Sequence, residues 1–451
     1  MLRARTMKLD EHNILWDLEA QHLEEAAFLV DLREAVIDAP NYDLTELAAG
    51  PDARLLAHVD ALAITGSVGA DRLLLPILEQ PGAQLETVVA AALACLHDDR
   101  ARAAEVLAAL DAESSDQHRA GIARAVALIG DPQIDAELQR RAAAGSGPGL
   151  VACLRALADR WQPNDCLPGL LASGDREVAG AAARLARQQG TPAVIAALAP
   201  LAESSDAALQ QVTIESALCL RMPGAWESAL YWAFVSGPSP FRRAALTWVA
   251  LLGDAAAHER LVTLVDQPKH RGDALWALGF CGRISAIERC LPLLDDPVHG
   301  PLAAEVVCAI AGLPVDDDGF WRDHVGPPGD AESALPPLEH DDLDAELVPS
   351  PEEALPTPEP GAITNWWRAR ADTLDPALRY LGGRPLNHEV MIDGLWHAPL
   401  RRRHNLALEL VFRTAGGCTI DTRALAATQR RQLANLGELE PPDYQRGLPR
   451  A

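Results

Sequence analysis

The sequence predicts an all-α chain, an α-α solenoid of about eight to ten helix pairs, and three observations carry that prediction. The 451 residues are 49% hydrophobic but only 4% aromatic, so the apolar mass is mainly Ala and Leu, which lose little freedom in a helix. A strand-rich fold would draw on more Val, Ile, Tyr and Phe. Second, short Gly or Pro punctuations fall near Gly69, His97, Gly130, Gln162, Gly190, Pro223, Gly253, Gly282 and Gly312, with successive gaps of 28, 33, 32, 28, 33, 30, 29 and 30 residues. A beat of about thirty residues is the mark of stacked helical repeats. Third, the apolar residues between the marks recur at helical spacing: Val178, Ala181, Ala182, Leu185 and Ala186 form one stripe, and Phe241, Ala245, Trp248, Val249 and Leu252 another.

Taken in order, residues 1–54 read as an amino-terminal helical cap and 55–313 as the repeats. Within each repeat a second helix follows the mark, as in 282–297 with Ile284, Ile287, Leu291 and Leu294, and an acidic or small-residue turn leads to the next first helix. Such turns read Glu203-Ser204-Ser205-Asp206, Asp266-Gln267-Pro268 and Asp295-Asp296-Pro297, where Asp and Ser cap the following helix and Pro fits its first turn. Residues 314–360 break the rhythm. This stretch of 47 residues holds 10 prolines, 14 acidic residues and one basic residue, Arg322, and is expected to be a flexible acidic insertion before the last repeats. From Gly361 the pattern is helical again, and 13 arginines against 9 acidic residues give the tail a net +4, so the tail is a candidate to pair with the insertion. Residues 386–396 and 400–415 read as one further helix pair, Gly383 and Gly416 lie 33 residues apart, and 422–436 reads as a closing helix.

The formal charge of −25 argues against nucleic acid or anionic membrane as partner, since both need basic surface. Cys95, Cys153, Cys166, Cys219, Cys281, Cys290, Cys308 and Cys418 form no Cys-x-x-Cys pair and read as small buried hydrophobes of a reducing compartment. The first 13 residues lack the apolar core of a secretory signal, and the longest apolar run, 244–252, is too short to span a bilayer. A cytoplasmic location is expected, with no membrane insertion.

Leu251-Leu252-Gly253-Asp254, Ile129-Gly130-Asp131-Pro132 and Leu294-Asp295-Asp296-Pro297 resemble the HEAT-repeat superfamily, in its short-repeat, bilin lyase-like branch, over roughly residues 55–312. At the amino end, His22-Leu23-Glu24-Glu25-Ala26-Ala27-Phe28-Leu29, Arg33 and Arg54-Leu55-Leu56-Ala57-His58-Val59-Asp60-Ala61-Leu62 resemble the opening of an uncharacterised proteobacterial HEAT-like family with members encoded near type VI secretion genes. The first resemblance implies architecture and is nearly silent on function; the second implies a genetic neighbourhood.

Local signatures for catalysis are missing from the sequence: there is no Gly-x-Ser-x-Gly elbow and no Gly-x-x-x-x-Gly-Lys phosphate loop. His258-Glu259 and His388-Glu389 are of the type that binds iron in a HEAT-repeat hydroxylase family, but only two such pairs occur, far apart. Asp316-Asp317-Asp318-Gly319 lacks the spaced ligands of a calcium loop. The scarce aromatics are better candidates. Trp226, Glu227, Tyr231 and Trp232 fall on a second helix, the type that lines the concave face of such repeats, and Trp366-Trp367 opens the tail. Aromatics near arginine anchor protein interfaces; packing in an Ala-rich core is the competing role. Arg401-Arg402-Arg403 could grip an acidic partner or the insertion, against the alternative of a solvated helix face.

The expectation is therefore a non-enzymatic protein-binding scaffold or adaptor, without catalytic residue, metal or cofactor, holding a partner on the second helices. If the amino-terminal resemblance holds, the partner is a secretion effector or its carrier, and the protein a loading adaptor or a neutralising immunity protein. The alternative is an enzyme or cofactor-binding protein of the bilin-lyase or di-iron hydroxylase type.

Overall fold

The computed structural model describes residues 13–97, 102–111, 115–322, 351–438 and 440–448. Helix is the dominant element, and the only sheet among these residues is one two-stranded ribbon. The chain divides into two compact units. The first takes the described parts of Met1–Ile37, Tyr42–Ala225 and Thr414–Glu438; the second takes Asp38–Asn41, Trp226–Arg413 and the described parts of Leu439–Ala451. These units cut the chain along lines other than the expected domain boundaries.

In unit 1, helices α1 (Trp16–Ile37), α2 (Leu44–Leu47), α3 (Ala53–Ile64), α4 (Gly66–Gly69), α5 (Leu75–Glu79), α6 (Leu85–His97) and α7 (Ala103–Ala108) come first. They are followed by α8 (Asp116–Ile129), α9 (Pro132–Ala144), α10 (Leu150–Asp159), α11 (Leu167–Leu171), α12 (Arg176–Leu185), α13 (Pro192–Leu198) and α14 (Ala207–Cys219). In unit 2 lie α15 (Ala225–Phe234, from its second residue), α16 (Arg242–Leu252), α17 (Ala255–Leu264), α18 (Arg271–Cys281), α19 (Ile284–Cys290), α20 (Gly300–Ala311) and α21 (Pro360–Arg368), then the ribbon β1 (Tyr380–Leu381) and β2 (Arg384–Pro385), then α22 (His388–His397) and α23 (Leu400–Arg413). The closing helix α24 (Ala426–Ala434) returns to unit 1.

Contacts follow the sequence beat. In unit 1 α6 packs on α8, α8 on α10, α10 on α12 and α12 on α14; in unit 2 α16 packs on α18 and α18 on α20, while α17 meets α19. Among these helices α16 is apolar nearly all round. In α16, Ala245, Leu246, Trp248, Val249, Ala250, Leu251 and Leu252 are all buried, as expected of a helix with neighbours on several sides.

The turns work as their residues dictate. Gly130 ends α8 at φ 68°, a left-handed conformation that glycine adopts without penalty. Asp131 then accepts from the backbone N–H of Gln133 at 2.7 Å, and Pro132 opens α9. Asp175, Asp206 and Asp254 cap α12, α14 and α17 in the same way. One mark is displaced: Gly69 lies inside α4, and the bend falls at Gly66, which has φ +57° and joins helical segments angled at 102°. Among the described residues no single helix is long and apolar enough to cross a membrane.

Most of the acidic insertion, 323–350, lies outside the described residues. Its flanks pair with each other: Arg322 N–H donates to Thr357 O at 2.9 Å, Glu359 N–H to Phe320 O at 2.7 Å, and the Arg322 guanidinium meets Glu359 at 2.9 Å. Asp317 accepts from Gly319 N–H within a short 3-10 turn.

Candidate functional site

A helix leaves its last carbonyls without partners, and in unit 2 the tail supplies them. Arg379, fully buried, donates to Cys281 O at 3.0 Å and Phe280 O at 3.0 Å at the end of α18, and lies 3.4 Å from Ala250 O and Leu251 O at the end of α16. Its charge is balanced by Glu409 at 2.7 Å, which also meets Arg413 at 2.7 Å. Arg413 donates in turn to Leu251 O at 2.8 Å, and burial holds its guanidinium below the usual arginine range. The ribbon continues the series, with Tyr380 N–H on Gly282 O, Gly382 N–H on Ala309 O and Gly383 N–H on Ile310 O. Positive ends of N–H groups and cations at helix C-termini also oppose the helix dipoles. This face of unit 2 is structural.

The arginine triplet belongs to it. Arg401, Arg402 and Arg403 are 5%, 4% and 0% exposed, so they form neither an open grip for a partner nor the alternative, a solvated helix face. Arg402 donates to Gly279 O at 2.6 Å and covers the Phe280 ring at 4.2 Å; Arg403 donates to Leu395 O at 2.6 Å. Arg401 stacks on Trp276 at 4.5 Å and lies 3.6 Å from Glu352, in the acidic insertion's second flank, which also pairs with Arg243 at 2.5 Å.

The aromatic candidates separate. Trp367 is buried and donates through Nε1 to Glu288. Trp366 is half-buried, edge-on to Phe320 and under Arg370 at 4.4 Å. On α15, Trp226 is half-buried and Glu227 exposed. Tyr231, 59% exposed, meets Trp232 edge-on at 5.1 Å, Trp232 meets Phe241 at 5.0 Å, and Phe241 meets the buried Trp248 at 6.2 Å. The series runs from surface to core, so only Tyr231 offers a broad exposed ring.

Neither His-Glu pair has the form of an open ligand set. His258 is fully buried; Arg283 Nε donates to its Nδ1 at 3.3 Å, which leaves the proton on Nε2 facing Ala250 O at 3.0 Å. Burial, then Arg379 and Arg283, hold it neutral by lowering its pKa well below the ordinary value. His388 stacks on Tyr444. No group of three or more His, Cys, Asp or Glu side chains able to hold a metal occurs among the described residues. Burial also pushes the thiols up, Cys95 to about 12 and Cys153 to about 11, which suits the packing role expected of them.

A feature suited to recognition lies in unit 1. A polar groove of about 550 Å³ runs over α8, α10, α12 and the start of α14. Arg124, Arg155 and Arg184 stand 31 and 29 residues apart, one per helix. Carboxylates alternate with them: Glu34 meets Arg124 at 2.6 Å, Glu177 meets Arg155 at 2.6 Å, Asp159 meets Arg184 at 3.1 Å, and Asp206 meets Arg176 at 3.6 Å. Exposure rises along the row, from 15% for the Arg124 side chain to 48% for Arg155 and Arg184 and 71% for Arg176. Gly180, Ala181 and Ala208 form part of its floor, where small side chains leave room for an incoming backbone. The thirty-residue beat puts the arginines in register; their partners, spaced irregularly, could not be matched from the sequence.

No family model and no curated protein matches the chain. Among solved structures, a crystal structure of an engineered protein from the Northeast Structural Genomics Consortium covers 86% of this chain and 98% of its own, at 17% identity and a TM-score of 0.31.

Proposed function

We propose that the protein is a non-enzymatic binding scaffold of HEAT-like helix pairs arranged as a solenoid, and that the groove over α8, α10, α12 and α14 receives an extended segment of a partner protein. The observation that carries this reading is the row of alternating charges on α8, α10, α12 and the start of α14, with arginines 31 and 29 residues apart. Exposed ion pairs of this kind are worth only about 0–1 kcal/mol each. A partner's carboxylates and cations can replace them at little cost, and each exchange fixes the register of the bound segment. The groove lies on first helices, whereas the sequence pointed to the second; Tyr231 remains the candidate anchor there.

The partner to seek is a secretion effector or its carrier, in the cytoplasm, as the amino-terminal resemblance implies. Affinity purification from the native bacterium at mild salt is expected to recover it with the parent protein and to lose it with the Arg155→Glu, Arg184→Glu double variant, whose circular dichroism should match the parent. Recovery of the protein alone would sink the scaffold reading. Equal recovery by parent and variant would move the site away from the groove.

A further inference from the structure

Unit 2 contains a cavity of about 270 Å³, separate from the groove. Its walls are mostly aliphatic: Pro301 and Ala309 from α20, Leu355 from the insertion's second flank, Leu381 from the ribbon and Val390 from α22. Such a lining holds an apolar body by excluding water.

Two polar groups in the lining have buried atoms without a well-formed hydrogen bond. Glu305 of α20 is 8% exposed, and neither of its carboxylate oxygens accepts a hydrogen bond; Trp321 Nε1–H, also buried, donates none. The nearest cations to Glu305 are Arg401 at 3.5 Å and Arg402 at 3.7 Å, close enough to balance charge but too far for hydrogen bonds. Buried polar atoms are normally satisfied, so an acceptor and a donor short of good hydrogen bonds in one cavity lining point to a ligand that supplies them.

The charges around the cavity narrow the choice. Arg402 stands against Glu305, and Arg384 is ion-paired with Asp393, so the lining is close to neutral. An ammonium head would satisfy Glu305 but offer nothing to Trp321, and would face Arg402. A carboxylate head would satisfy Trp321 and face Glu305. A hydroxyl or primary amide both gives and accepts a hydrogen bond and carries no charge.

From this combination we infer that the cavity is a binding site for a small, neutral, amphipathic molecule: an apolar body with one hydroxyl or amide head directed to Glu305 and Trp321. Burial pushes the pKa of the Cys308 thiol, also in the lining, up to about 12.

The test uses the full chain and three probes that share one ring and differ in the head: 2-phenylethanol, 2-phenylethylamine and phenylacetate, titrated by calorimetry and ligand-observed NMR. 2-Phenylethanol is expected to bind about tenfold more tightly than either charged probe. Glu305→Gln, which can itself donate, should narrow the gap between alcohol and carboxylate. Ala309→Leu, filling the cavity, and Val315→Trp, at its exposed rim, should each abolish binding. The inference is overturned if a charged probe binds as tightly as the alcohol, if no probe binds at millimolar concentration, or if both cavity-filling variants, folded as judged by circular dichroism, still bind 2-phenylethanol.

Discussion

At the scale of single residues, Arg379 has the largest structural duty in unit 2, since one guanidinium serves the carbonyl ends of α16 and α18 and neutralises Glu409. Arg379→Met would leave those carbonyls and one carboxylate buried with fewer donors, and removing one side of a buried pair costs about 3–5 kcal/mol; a urea unfolding curve reporting on unit 2 checks this, and an unchanged midpoint would refute it. Asp421 gives a pH prediction for unit 1. Burial, then the neighbouring Asp159, push its carboxyl from 3.8 up to about 6. A raised acid binds its proton more tightly in the folded than in the unfolded chain, so its contribution to stability falls as pH rises from about 4 to about 6 and is then fully lost. Asp421→Asn keeps an oxygen for Arg423 N–H, which Asp421 accepts at 2.9 Å, and removes the charge. The variant should therefore gain up to about 3 kcal/mol on the parent at pH 7.5 and almost nothing at pH 4; a gain independent of pH would reject the account. Neither role could be read in the sequence. Arg379, Arg401, Arg402 and Arg403 look like solvated charge until the elements that surround them are known, because burial of a charge depends on partners as far as 129 residues away in the chain.

At the scale of elements, helix ends decide where glycine is indispensable. Gly282 closes α18 at φ +69°, and a Cβ there would meet Tyr380 O at 2.8 Å and Tyr380 N at 2.9 Å; Gly145 closes α9 at φ +68° with open space around it. Gly145→Ala should cost about 1 kcal/mol, the left-handed penalty alone. Gly282→Ala should cost clearly more, because the ribbon must also move off the helix end. Equal shifts in the two unfolding midpoints would show that the ribbon contact carries no energy. Much of this punctuation is visible in sequence, since Gly130, Gly282 and Gly312 all take positive φ at helix ends. The exception is instructive: Gly66 and Gly69 compete within four residues, and propensity does not tell which one turns. The ribbon had a signal that helical periodicity overshadowed, Gly382-Gly383 between Leu381 and Arg384, with φ of +57° and +77°, the two-residue turn that hairpins favour.

On the scale of the whole molecule, the compact units are not continuous stretches of the chain. Unit 1 begins near the amino terminus but is completed by Thr414–Glu438, after the chain has built most of unit 2. The regular beat made the helical character readable from sequence; the return was not, because it depends on contacts almost 400 residues apart and follows no beat. Its chemistry is specific. Arg33, fully buried, meets Asp52 at 2.7 Å and donates to Ala424 O at 2.7 Å and Arg423 O at 3.1 Å, while Asp52 accepts from Ala426 N–H at 2.6 Å. Cys418, Ile420, Ala424, Leu433 and Leu436 bury apolar surface alongside, at roughly 25 cal/mol per Å². A fragment ending at Ala225 should consequently leave Arg33 and Asp52 short of backbone partners and expose the apolar seat of the returning segment. A synthetic peptide of residues 414–438 added in trans should bind the fragment and raise its unfolding temperature, and Arg33→Leu should remove most of that gain. A fragment already as stable as unit 1 in the full chain, and indifferent to the peptide, would mean that the returning segment rests on unit 1 without supporting it.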